Sequence, residues 1–234
     1  MVLASPVLTR RWLGEQSLPP AAPEPLGLLV VPMRAQVLLL RGDLDSALKV
    51  LETLDRARVA GDPQLVVPAL TAAAMVESER GNVGAAIGLI RERIEMIGAR
   101  EGSYAIGHTE AARVLAIAGE FGLLGELRSQ DDLAIRRTQL CLAASGAVLA
   151  EAEGRTGEAA AIYAEAAAGW ADFGHRPETA FAELGAGRCL LELGRPDEAT
   201  TRLRGARDAF SGLGAVRLVE ETDDLLSRAT ALSS

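Results

Sequence analysis

The run Gly154-Arg155-Thr156-Gly157-Glu158-Ala159 returns as Gly194-Arg195-Pro196-Asp197-Glu198-Ala199, and the register holds beyond it. Tyr163 pairs with Leu203, Ala166 with Ala206, Trp170 with Phe210, Phe173 with Leu213 and Gly174 with Gly214, each 40 residues apart. A repeat of this length constrains a chain more than any single predicted element, because each unit buries its apolar face only by stacking on its neighbours. Glycines at 42, 81, 119, 154 and 194 extend the pattern towards the N-terminus with spacings of 39, 38, 35 and 40. An alanine follows five residues later in four units: Ala47, Ala86, Ala159 and Ala199. Seven residues before the glycines stand Ala35, Ala74, Ala112, Ala147 and Gly187, all small, as two closely crossing helices require.

The spacing predicts five helix-turn-helix units. First helices are expected near 28–41, 64–80, 104–118, 132–153 and 177–193, each ending at its turn glycine. Second helices are expected near 44–60, 83–98, 121–129, 156–173 and 196–212, and a last helix, 215–231, caps the stack. The cap carries Glu220, Glu221, Asp223, Asp224 and Arg228 on its outer face. The fold class is therefore all-α, divided into an irregular proline-rich segment (1–25), a repeat domain (26–214) and a capping helix with its tail (215–234). Pro32 and Pro68 fall inside predicted first helices and are expected to delay or kink them. The third unit, whose second helix is short and lacks the alanine, is where the stack is expected to bend.

Only 3% of the residues are aromatic, and alanine, leucine and glycine dominate, which suits tightly packed helices and not sheets. The net charge of −8, with a single lysine at Lys49 and arginines scattered among carboxylates, opposes direct nucleic-acid binding. The longest uncharged stretch, Pro63 to Val76, is 14 residues, short of a membrane span. Arg10-Arg11 is separated from the apolar stretch Leu26–Val31 by prolines, unlike an export signal, so a cytoplasmic location is expected. Cys141 and Cys189 lie in apolar helical segments and read as small buried hydrophobes. With His108 and His175 as the two imidazoles and no paired Cys/His spacing, no metal site and no cofactor are expected.

The Gly, Glu/Ala at four and five, large residue at nine and alanine at twelve of units four and five resemble the tetratricopeptide repeat. The resemblance implies a right-handed α-solenoid whose first helices line a concave groove. The usual first-helix tryptophan and tyrosine are absent and the units exceed the common 34 residues, as in a long-helix branch. Trp170 to Glu178, Gly187 to Arg195 and Asp62 to Leu70 are similar to the C-terminal helical arms of large actinobacterial signalling proteins, the class III cyclase-like proteins and ATP-dependent transcriptional regulators. No phosphate-binding G-x-x-x-x-G-K-[ST] motif occurs here, because Lys49 stands in Ala47-Leu48-Lys49-Val50.

Catalytic roles have little support. Asp131-Asp132 fits helix capping, and His108 with Glu110, or His175 beside Arg176, lacks a supporting nucleophile. A non-enzymatic scaffold is expected. Its groove would be lined by Gln36, Met75, Arg113, Val148 and Arg188, one equivalent position per unit, and by the neighbouring Thr71, Thr109, Ala144 and Leu184. Two arginines amid apolar residues suit an acidic or C-terminal peptide; pairing of both with nearby glutamates is the alternative. The expected partner is a protein segment or another domain of a parent signalling protein. A small-ligand-sensing regulatory arm is the alternative function.

Overall fold

The computed structural model describes residues 26–98, 107–129 and 136–233. The proline-rich N-terminal segment, Asp131-Asp132 and the expected helix starts at 104 and 132 lie outside these residues. Among the described residues the chain is helical, without strands. The segments are α1 (Leu26–Leu40), α2 (Leu44–Ala47), α3 (Lys49–Ala60), α4 (Pro63–Glu79), α5 (Val83–Gly98), α6 (His108–Ala118) and α7 (Phe121–Ser129). They continue as α8 (Arg136–Ala152), α9 (Thr156–Phe173), α10 (Arg176–Glu192), α11 (Pro196–Leu213) and α12 (Val216–Leu232). Two compact units result. One comprises residues 26–39 and 43–145 of the described chain, the other 40–42 and 146–233, so the division falls within α8.

The turns follow from backbone chemistry. All five turn glycines adopt positive φ, between 68° and 79°, where a side chain would be strained. After α8, Gly154 N–H donates to Glu151 O and Arg155 N–H to Ala150 O, so the freed helix carbonyls are satisfied within the turn. Asp62 opens α4 by accepting from Gln64 N–H at 2.9 Å, with Pro63 at the first helical position, where no N–H is needed. Pro32 and Pro68 do not delay their helices, the first of the two effects expected of them. They sit inside α1 and α4, each of which begins before its proline and continues past it.

The small residues lie where the helices press together. Ala35, Ala74, Ala112 and Ala147 are at most 2% exposed, and their partners Ala47, Ala86, Ala159 and Ala199 at most 1%. In the 146–233 unit the large residue at nine lies over a first-helix glycine: the Tyr163 ring covers Gly185, and Leu203 covers Gly187. Ala180, Leu184, Leu190, Leu203, Ala206, Phe210, Leu213, Leu225 and Ala229 form one core joining α10, α11 and α12. The outer face of α12 keeps Glu220, Glu221, Asp224 and Arg228 exposed.

Helices α9 and α11 bury the residues five, nine, twelve and sixteen places after the turn glycine. These are Ala159, Tyr163, Ala166 and Trp170 in α9, and Ala199, Leu203, Ala206 and Phe210 in α11. Helix α5 keeps the register with Ala86, Ile90, Arg93 and Ile97. The first unit breaks it. Between α2 and α3, Leu51 N–H donates to Leu48 O at 3.0 Å, a tightened i→i−3 turn. Burial passes from Ala47 to Val50, Leu54 and Ala57, and Leu51 at nine is left half-buried.

A Cβ at Gly187 would stand 2.6 Å from Leu203 carbons. Gly187→Ala is therefore expected to lower stability by about 1–3 kcal/mol through overpacking. Urea unfolding checks this, and adding Leu203→Ala should cost less in the alanine variant than in the wild-type chain.

Candidate binding positions on the first helices

The nine sequence-predicted positions separate into two classes. Gln36, Met75, Arg113, Val148 and Arg188, each six residues before a turn glycine, are all half-buried. Thr71, Thr109 and Leu184, ten residues before, are buried at 0%, 4% and 4% exposure, and Ala144 at 7%. These four are packing positions and offer a ligand almost no surface. The reason is that each first helix is covered over a broad stripe. Residues ten and seven before the glycine lie one turn apart at the centre of that stripe, and the residue six before lies at its margin.

Thr71 is fixed by polar contacts within the interior. Its hydroxyl donates to Val67 O at 3.1 Å and accepts from Arg93 Nε at 3.2 Å. Arg93 is 1% exposed and occupies the position that is alanine in units four and five. A guanidinium there was not foreseen from the repeat, and the polar threonine on the facing helix was its only signal. Gly107 closes over the pair: a Cβ at that residue would meet Thr71 atoms at 2.8–2.9 Å.

Another contact missed by sequence reading joins His108 and Ser145. His108 Nε2 lies 3.2 Å from Ser145 Oγ, although the two are 37 residues apart. Both are 1% exposed, and Ser145 Oγ donates to Leu142 O at 3.1 Å. A hydroxyl already committed to a carbonyl and shut away from solvent is not arranged as a nucleophile. His175 sits at the start of α10, with Nδ1 accepting from Glu178 N–H at 3.4 Å and its ring 5.4 Å from that of Trp170. Trp170 and Phe210 are core residues, 1% and 0% exposed.

Arg188 is the best-defined charged group among the predicted positions. Its Nε and Nη2 donate to the two oxygens of Glu151 at 2.5 and 2.9 Å. Glu151 also accepts from Tyr163 Oη at 2.7 Å, and Arg188 Nη1 lies 3.7 Å from Glu221. One carboxylate thus ties together α8, α9 and α10. Two carboxylates around one guanidinium leave the cluster with a net charge of −1. Pairing with glutamates, the alternative to carboxylate recognition, is what the structure shows at this position.

Burial opposes the charge on Arg188, but the Glu151 hydrogen bonds and charge outweigh it and hold its pKa above the ordinary value. Burial, reinforced by the Glu151 charge, pushes the Tyr163 phenol upward and the Cys189 thiol up to about 12. Cys141 and Cys189 are both buried and are not joined in a disulfide. Among the described residues, no group of three or more His, Cys, Asp or Glu side chains could hold a metal ion, and no helix is long and apolar enough to cross a membrane. No family model and no curated protein matches the chain.

Raised pKa values in the folded state carry a sign. A thiol titrating near 8.5 and a phenol near 10 when unfolded lose their protons in the unfolded chain first, so stability falls as pH rises. The contribution of Cys189 is complete below about pH 8.5 and is lost on the way to about 12. The urea midpoint is expected to fall between pH 8.5 and 10.5, and Tyr163→Phe should flatten the upper part of that profile.

Proposed function

We propose that the chain is a non-catalytic helical-repeat module of tetratricopeptide type, a right-handed solenoid that binds a segment of a partner protein along its first helices. The observation that carries the reading is the shared half-buried state of the residues six places before every turn glycine. Within each compact unit, equivalent side chains held at the edge of the core suit recognition of an extended or helical segment. On α1 the row continues into exposed apolar residues, with Leu29 and Met33 at 38% and 50% exposure one and two turns before Gln36. Apolar side chains exposed in this way next to a polar one are typical of a contact surface.

The acidic setting of Arg188 points to a partner that is neutral or basic near that residue. The likeness of the Trp170–Arg195 stretch to regulatory arms supports a place in bacterial signalling, in the cytoplasm.

Site-specific photo-crosslinking in cells tests the reading. A photoreactive residue at Met33 or Met75 is expected to yield a discrete adduct of higher mass, whereas one at the 90%-exposed Val59 on α3 yields none. Equal or absent adducts at all three positions would contradict a groove on the first helices.

A further inference from the structure

Two departures from the repeat pattern meet at one pocket. Four residues before the turn glycines the chain buries Leu38, Leu115, Ala150 and Leu190, but in the second unit the residue is Glu77, 8% exposed. The tightened turn at Leu48 in the first unit leaves Leu51 half-buried where α5, α9 and α11 bury Ile90, Tyr163 and Leu203. Glu77 and Leu51 line the same open cavity of about 390 Å³. Its walls are matching faces of two helices: Leu51, Leu54, Asp55 and Arg58 of α3, and Ala85, Gly88, Leu89 and Glu92 of α5. Places where a repeat breaks its own packing rule are where function is expected, and the volume lies within the range of ligand pockets.

We propose that this pocket binds a short protein segment presenting an arginine or lysine beside a leucine-like residue. Leu51, Leu54 and Leu89 give it an apolar floor, and Asp55, Glu77 and Glu92 outnumber Arg58, so the lining carries a net charge of −2. Outside the lining, Arg80 Nη1 and Asn82 Nδ2 donate to the two oxygens of Glu77 at 2.8 and 2.6 Å, and the charge of Arg80 reduces the net to −1. The pocket already holds one guanidinium. Arg58 reaches from α3 to α5, its Nε and Nη2 donating to Glu92 at 2.9 and 2.5 Å, with Asp55 at 3.5 Å from Nη1. The Asp55 side chain is 79% exposed and faces solvent at the mouth, where an incoming cation meets it first. A basic side chain lays its aliphatic stem on the leucines and its head against Asp55, the one lining carboxylate whose two oxygens are not both already hydrogen-bonded. This site is separate from the row on the first helices and stands independently of it.

The test is an amide NMR titration of the full chain with the acetylated, amidated pentapeptide Ala-Leu-Arg-Leu-Ala. A counterpart with glutamate in place of arginine, and methylguanidinium alone, serve as comparisons. Saturable shifts at Leu51, Gly88 and Leu89, with a dissociation constant on the order of 100 μM, are expected for the arginine peptide only. Gly88→Met fills the pocket, because nothing lies within 4 Å of its added Cβ, and it favours the helix; it should abolish binding. Asp55→Asn should weaken binding roughly fivefold, whereas Met75→Glu, on the first-helix row, should leave it unchanged. Undiminished binding to Gly88→Met, equal binding of the glutamate peptide, no saturable shift, or methylguanidinium binding as tightly as the peptide would each overturn the proposal.

Discussion

Close approach of helix backbones at small residues is the constraint from which the rest of the structure follows. Where Ala74, Ala112 and Ala147 meet their neighbours the side chains have no exposure at all, and such contact is available only if nothing larger than a methyl group intervenes. The large residue of the following helix then has a shallow site to enter, as Tyr163 does over Gly185 and Leu203 over Gly187. With few aromatic rings to fill space, the interior depends on this interlocking of alanine, glycine and leucine. Trp170 and Phe210, each fully buried, contribute about 2–3 kcal/mol apiece, and their recurrence shows that the unit itself is repeated.

Much of the helical order was legible because turn chemistry is local. The glycines at 42, 81, 119, 154 and 194 need positive φ, and the helices end where they stand. Proline was the weaker guide. Pro68 removes a backbone donor, yet it is buried within α4 among Val66, Val67, Ala69 and Leu70, and that packing sustains the helix through it. Tertiary burial outweighs local preference there, and no window of sequence around Pro68 contains that information.

The candidate positions were legible in register but not in depth. Counting from the turn glycine finds the residues that share a face, and the half-buried row from Gln36 to Arg188 obeys that count. It does not tell how wide the covered stripe is, so Thr71, Thr109 and Leu184 were placed at a surface they do not reach. Polar partners distant in sequence were equally hidden: His108 with Ser145, and Arg93 with Thr71, come together only through packing. Glu151 stands three residues before its turn glycine, and only the fold shows that it binds both Tyr163 and Arg188.

The charge distribution follows the same logic. Carboxylates outnumber cations both around Arg188 and in the pocket between α3 and α5. Native-state amide hydrogen exchange is the measurement that tests the interlocked packing most directly. The account predicts that the amides of α9, α10 and α11 flanking Gly185, Gly187, Tyr163 and Leu203 exchange only with global unfolding, as one cooperative set. Fast, independent exchange in those helices, with helicity by circular dichroism unchanged, would contradict it, since the helices would then form without pressing on one another.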